Sequence, residues 1–201
     1  NLDELIGYAP SIRRNVVGLP MRPLTLAEVR SLLAMGEAAA GLHFNDEATA
    51  LISTMASGSP YLVRLLGHRA ALMALDQRQT LVAEVHARAA IEKVLGDWNA
   101  SLPHRAQTIL ASDAAQAEWP LLVAAARAGI ASDGWFTVDE VAGLVGRAGA
   151  PAAVERSLEN FVGPNNIIER VETGHEQRFR FRYPGVASML LMSAAMAGLA
   201  N

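Results

Sequence analysis

The amino-acid sequence predicts an all-α fold with one small β-hairpin near its C-terminal end. Two observations support this class. Helix start and stop signals recur at short intervals from Thr25 onwards, and the spacing of apolar residues changes from helical to alternating after Pro164. The composition agrees with a buried core, because 51% of the 201 residues are hydrophobic and only 18% are charged.

The first two predicted helices have recognisable ends. Thr25 and Glu28 have the spacing of a capping box, in which each side chain bonds a backbone amide of the other's turn, and Gly41 ends this helix. Asn45 is an N-cap residue for the second helix, which Gly58 ends. Both helices therefore begin with side chains that accept hydrogen bonds from free amides.

Two further helices complete a predicted α-bundle. Ser59-Pro60 has the favoured order of cap residue and then proline at the first helical position, and this helix runs to about Leu75. The fourth helix is predicted over Leu81–Trp98, and residues 99–103 are predicted to form a linker. Four helices joined by short loops favour a bundle.

The second half is predicted to hold four helices and the hairpin. The helices span Arg105–Ser112, Trp119–Ala131, Thr137–Val145 and Ala152–Phe161, and Thr137 with Glu140 forms a second capping box. Strands are predicted at residues 167–172 and 177–183, with the turn between them. Helix, short helix, helix and hairpin is the order of a winged helix-turn-helix.

Alternation in the second strand separates two kinds of side chain. Phe179, Phe181 and Tyr183 fall on one face, and the opposite face carries three arginines, Arg178, Arg180 and Arg182. These arginines are candidate contacts to nucleic acid. The favoured interpretation is instead the solvent face of a half-buried hairpin, with Glu169 and Glu172 across the strands.

Charge and cysteine content narrow the function classes. The net charge is −3, and the two halves are alike: residues 1–100 have nine basic and ten acidic side chains, residues 101–201 eight and ten. Neither half is a basic body that would bind nucleic acid by bulk electrostatics. The absence of cysteine excludes disulfides and thiolate metal sites, and with no signal-peptide pattern a cytoplasmic location is expected.

Other residue patterns argue against a membrane span or a metal site. Residues 183–201 are uncharged but rich in Ala, Ser and Gly, so a buried terminal helix is expected, with Met189, Met192 and Met196 in a core or subunit contact. The five histidines are scattered without metal-ligand spacing. No catalytic residue is predicted within this chain.

Several segments together resemble the C-terminal part of AAA+ ATPases, in the STAND-type or origin-recognition-like branch. Leu19–Glu28 resembles the junction between the nucleotide-binding core and the helical lid. Gly41–Ala48 and Gly58–Gly67 resemble the lid pattern that includes Gly-x-Pro-Tyr, and Phe179–Pro184 resembles the close of the winged-helix domain. The resemblance covers nearly the whole chain in the right order.

The resemblance implies that the chain has three structural parts and a regulatory function. Residues 1–22 would be a remnant of the nucleotide-binding core, 23–98 the helical lid, and 103–201 a winged-helix domain. ATP or ADP with Mg²⁺ would be held by an upstream core, not tightly by this chain. The chain would be a regulatory portion that couples nucleotide state to a partner protein; self-association is left open.

Departures from the family pattern define the candidate nucleotide contacts. Lys93 is the only lysine and lacks the glycine-rich P-loop around it, and no Walker B strand end follows. Tyr61 stands where many lids have a sensor arginine, and Arg64 lies one turn further on the same face. The predicted cofactor-binding residues are Ser59, Pro60, Tyr61 and Arg64.

Two alternatives from other classes remain. One is a winged-helix DNA-binding transcriptional regulator whose N-terminal helices dimerise, and the other is a structural interaction module. The helix that would enter a DNA groove carries Glu155, Arg156 and Glu159, so it is net acidic, and weak DNA binding without sequence preference is expected.

Overall fold

The structure, a computed structural model, describes residues 22–132, 134–146, 150–173 and 176–199. The predicted core remnant at residues 1–22 lies outside this part of the chain, except for Arg22. In the described residues the fold is mostly helical with a small antiparallel sheet, which confirms the predicted class.

Ten helices and five short strands follow one another along the described chain. The helices are α1 (Leu26–Ala40), α2 (Asp46–Ala56), α3 (Pro60–Asp76), α4 (Glu84–Ser101), α5 (His104–Leu110), α6 (Asp113–Ala117), α7 (Trp119–Ala131), α8 (Val138–Leu144), α9 (Pro151–Glu159) and α10 (Pro184–Leu199). The strands are β1 (His43–Phe44), β2 (Leu81–Val82), β3 (Trp135–Phe136), β4 (Ile168–Thr173) and β5 (Glu176–Phe181).

The predicted helix starts are confirmed where local capping sets them. Thr25 and Glu28 form a complete capping box at α1, and Thr137 and Glu140 form another at α8. Asn45 caps α2 by accepting from the amide of Ala48 at 2.8 Å. These bonds satisfy amides that a helix start leaves unpaired, so they fix the start locally.

The predicted start and end of the fourth helix are wrong. Leu81 and Val82 leave the helical pattern to pair in parallel with His43 and Phe44. The helix α4 begins only at Glu84, where the amide of Ala83 donates to the ring of His86 at 3.0 Å. It then continues to Ser101, through most of the predicted linker.

The second half contains a three-stranded sheet in the order β3-β5-β4, one strand more than the predicted hairpin. Strand β5 pairs antiparallel with both neighbours, with Arg180 opposite Trp135 on one side and Glu169 on the other. The buried face of β5 carries Phe179 and Phe181, which pack on Phe136. The predicted separation of aromatic and arginine faces is confirmed within β5, but the predicted end of this strand is wrong, because β5 ends at Phe181 and Arg182 and Tyr183 follow it.

Two buried clusters form the interior, one in each half. The first lies among α1 to α4 and includes Val29, Ile52 and Leu66, and the second lies among α5 to α9 and the sheet. The terminal helix α10 belongs to both, because Leu190 is buried in the second cluster and Met192 in the first. A helix with apolar side chains on all faces is buried in this way.

The search for membrane-spanning segments covered the described helices. None of them combines the length and the apolar character that a membrane crossing requires.

Candidate functional site

The predicted nucleotide contacts lie at the first turn of α3. Ser59 is the N-cap residue, and its hydroxyl accepts from the amide of Leu62 at 3.4 Å. Pro60 occupies the first helical position, where its lack of an N–H costs nothing. Tyr61 is 65% exposed, and Arg64 is exposed one turn further along. The structure therefore brings the four residues to one exposed helix end.

Hydrogen bonding at this turn leaves little free donor capacity. The amide of Val63 donates to the carbonyl oxygen of Ser59 at 3.0 Å, Leu62 donates to the Ser59 hydroxyl, and Pro60 has no amide hydrogen. Among the described residues only the Tyr61 amide of this first turn is left without an acceptor. An anion at this end would thus meet one amide and the partial positive charge of the helix.

The incoming chain is held against this helix end. The amide of Leu24 donates to the carbonyl oxygen of Gly58 at 2.8 Å, directly before the Ser59 cap. Gly58 has a φ of +77°, and a Cβ there would lie 2.5 Å from the Cβ of Pro23. Glycine is required on both counts, since other residues rarely adopt this φ and any side chain would collide with Pro23. The junction at Pro23-Leu24 and the start of α3 therefore form one compact unit.

An ion pair supports the same junction. Arg22 donates two hydrogen bonds to the carboxylate of Glu28, at 2.6 and 2.8 Å, while Glu28 also accepts from the backbone amide and the hydroxyl of Thr25. The Arg22 hydrogen bond, followed by those from Thr25, lowers the pKa of Glu28 to about 2. The carboxylate is thus held charged at the start of α1, where the helix dipole favours it.

Arg64 is one of two described arginines of the first half that have no partner. Arg22, Arg30, Arg69 and Arg88 each pair with a carboxylate, whereas Arg64 and Arg78 have no hydrogen-bond or ion-pair partner among the described residues. Of these two, Arg78 lies in the turn after α3, and Arg64 lies within the helix. Arg64 lies at the rim of a groove between α1 and α3 with a volume of about 510 Å³, named here the α1–α3 groove.

The α1–α3 groove is a feature that the sequence analysis missed. Its floor is apolar and includes Leu33, Phe44 and Val63, and Met35 is 70% exposed at its wall. The signal was available in the sequence: Met35 is a large apolar residue two positions past the buried Leu33, outside the face that Val29 and Leu33 define. Its exposure marks a surface that is apolar without being core.

The three hairpin arginines lie apart from the first site and make intramolecular contacts. Arg180 donates to the carboxylate of Glu169 and its guanidinium lies 4.6 Å from the ring centroid of Trp135. Arg182 contacts the same carboxylate at 3.2 Å and donates to the carbonyl oxygen of Gly163 at 3.0 Å. Arg178 is exposed on β5 and also makes contacts within the chain. Two of the three cations therefore share one carboxylate.

The helix beside the hairpin, α9, contributes two carboxylates. In α9, Glu159 forms an ion pair with Arg170 of β4, and Glu155 lies with Asp139 at a shallow pocket between α8 and α9. This arrangement places carboxylates where a groove-reading helix would present donors to phosphates and bases. In the described part of the chain, no group of three or more His, Asp or Glu side chains is placed to hold a metal ion.

Comparison with known proteins gives no relative to argue from. No protein-family model matches the chain, and the search of curated proteins finds none that matches it.

Proposed function

We propose that this chain is the lid and winged-helix portion of an AAA+ ATP-binding protein, and that it couples the nucleotide state of an upstream core to a partner protein. The observation that carries this proposal is the hydrogen bond between Leu24 and Gly58. The resemblance ends the nucleotide-binding core at residue 22. A core ending there would lie beside the first turn of α3, which is where a lid meets the nucleotide.

The chemistry of that turn supports a phosphate as its ligand. The Tyr61 amide and the Arg64 guanidinium have no partners among the described residues, and the first turn of α3 contains no acidic residue. A helix N-terminus with one free amide and one exposed cation binds an anion weakly by itself. Tight nucleotide binding therefore rests on the core, with α3 as a sensor of phosphate.

The second half supports contact with a protein more than with DNA. The element order α7, β3, α8, α9, β4, β5 and the sheet order β3-β5-β4 are those expected of a winged helix. On its arginine face, Glu169 forms ion pairs with Arg180 and Arg182. Helix α9 adds two further negative charges to this domain, Glu155 and Glu159. Phosphate contacts would have to displace these internal ion pairs.

The first test is the coding sequence upstream of Asn1 and the nucleotide affinity of the full-length protein. We expect a Gly-x-x-x-x-Gly-Lys-Ser/Thr motif upstream, and we expect Arg64→Ala to weaken binding of ATP relative to ADP by about tenfold, the value of one charge-assisted hydrogen bond. Arg69→Ala is the matched control, since Arg69 lies on the same helix but pairs with Asp97 at 3.4 Å. Absence of the motif, or the same ratio of ATP affinity to ADP affinity in Arg64→Ala and Arg69→Ala, would refute the proposal.

The rival function is separated by DNA binding and its salt dependence. The chain by itself should bind duplex DNA no more tightly than non-specific binders do, with a Kd of about 10⁻⁴–10⁻⁶ M at physiological salt, and it should not hydrolyse ATP. Submicromolar, sequence-selective binding that falls steeply with salt and is lost in Arg178→Ala would instead identify a transcriptional regulator.

A further inference from the structure

The α1–α3 groove is built by two glycines with opposite roles. Gly67 of α3 is in close contact with α1, because a Cβ at this position would lie 2.6 Å from Cδ2 of Leu33. Gly36 of α1 faces open space, with nothing within 4 Å of where its Cβ would be. The helices therefore touch at Gly67 and leave the surface beside Gly36 open.

The side chains of the groove divide into an apolar floor and a cationic rim. The floor and walls contain Leu33, Phe44, Val63 and Met35, and the titratable lining residues are Arg64 and His68, both exposed on α3. Among the described residues, no carboxylate lines the groove. A partner must therefore supply apolar side chains for the floor and negative charge for the rim.

The geometry of the groove favours a helical partner. Both of its walls are helices, so a third helix packed along them would extend the bundle by ridges-into-grooves contact. Helices that bind in this way present anchors at positions i, i+3, i+4 and i+7. An exposed methionine suits such a surface, because its unbranched side chain adapts to the anchor that enters. The polar groups stand at the rim and do not converge inside, which argues against a small-molecule site.

We propose that the α1–α3 groove is the docking site for an amphipathic helix of a partner protein that carries Asp or Glu opposite Arg64. The inference does not depend on nucleotide binding, since it rests on the groove and its charge. Arg64 nevertheless stands within one turn of the α3 N-terminus, so the partner and a phosphate would compete for one guanidinium.

The test is a selection from a displayed library of amphipathic helical peptides against the full chain. Each peptide has Leu at i, i+3, i+4 and i+7, and the flanking positions vary among Glu, Gln and Lys. We expect the selected peptides to be enriched in Glu. Their affinity should fall at least about tenfold in Gly36→Leu, which fills the groove, and in Arg64→Glu, which reverses the rim charge.

Two matched variants separate the groove from general effects of substitution. Gly96→Leu also adds a side chain at an exposed helical glycine with nothing within 4 Å, and it should leave binding unchanged. Arg127→Glu changes an exposed arginine of α7 in the same way as Arg64→Glu and should likewise have no effect. Circular dichroism of all four variants checks that the fold is kept.

The charge preference gives the decisive result. Repeating the selection against Arg64→Glu should invert the enrichment from Glu to Lys. The proposal is overturned by an unbiased or Lys-rich selection against the parent chain, by peptides that bind Gly36→Leu equally well, or by the absence of any binder. Concentration-dependent dimerisation that Gly36→Leu abolishes would instead assign the groove to a second copy of the chain. Peptide binding seen only after removal of residues 1–21 would assign the groove to that segment of the same chain.

Discussion

In the first half of the chain Arg64 stands exposed at the rim of an apolar groove, whereas in the second half Arg180 and Arg182 both lie against Glu169. Both sites looked alike in the sequence, as arginines on one face of an amphipathic element. Their surroundings differ because strand β4 places Glu169 directly beside β5, whereas no described carboxylate pairs with Arg64. The arginine without such a neighbour is the better candidate for a ligand.

The largest effect should come from removing the shared carboxylate of the second half. In Glu169→Ala, Arg180 and Arg182 lose their common partner in a site where all three side chains are less than one-third exposed. We expect a loss of about 2–3 kcal/mol in the free energy of unfolding, because two partly buried guanidinium groups lose the carboxylate that they share. Urea denaturation measures it.

The exposed pair of Arg30 and Asp46 provides the contrast to Glu169. The side chains of this pair are 55% and 88% exposed, so Arg30→Ala should change stability by no more than about 0.5 kcal/mol. Equal losses in the free energy of unfolding for Arg30→Ala and Glu169→Ala would show that the burial of the Glu169 ion pairs does not increase their contribution to stability.

A smaller effect is expected at the junction that defines the first site. Gly58→Ala forces a side chain into the left-handed region and towards Pro23, which should cost about 1–2 kcal/mol for the backbone alone. The amide of Leu24 should lose protection from hydrogen exchange as its bond to Gly58 is displaced. Gly36→Ala is the control, and this change should stabilise α1 by about 0.5–1 kcal/mol.

Ser59 and Arg64 separate the structural and ligand roles of α3. Ser59→Ala removes the cap and should cost about 1 kcal/mol, while Arg64→Ala should change stability by no more than about 0.5 kcal/mol. Thermal unfolding of the two variants tests this order. A loss at Arg64 as large as that at Ser59 would mean that Arg64 supports the fold and is not reserved for a ligand.

The smallest effect is a pH dependence at Glu28. Its pKa is about 2 in the folded chain, below the ordinary value of 4.5, so its stabilisation is present above about pH 4.5 and is lost as the pH falls towards 2. The difference in urea midpoint between the parent chain and Glu28→Gln should therefore shrink over that window. A difference that stays constant down to about pH 2 would show that the Arg22 pair does not set this pKa.

What the sequence predicted follows from how local each feature is. The caps at Thr25, Asn45 and Ser59 were predicted because a cap residue bonds amides within three positions of itself. The pair β1–β2 was missed because it joins two dipeptides, His43–Phe44 and Leu81–Val82, that are distant in sequence and too short to show alternation. Strand β3 was missed for the same reason.

The candidate sites divide along the same line. The Ser59 turn could be placed from sequence, and Glu169 could be named as an available partner across the hairpin. Met35 marks an apolar surface in the sequence, but the α1–α3 groove itself could not be placed, because its shape depends on the close approach at Gly67, a contact between helices that a single helical pattern does not encode. Non-local packing therefore decides which of the predicted arginines is available.

The terminal helix α10 limits how far the two halves can be treated as modules. It buries Leu190 in one cluster and Met192 in the other, so neither cluster keeps its full interior without it. A gene fragment that stops before Pro184 would expose apolar surface in both halves at once. If the second half were exchanged between related proteins, its α10 would have to fit the first buried cluster of the recipient. Packing along α10 therefore couples sequence changes in one half to sequence changes in the other.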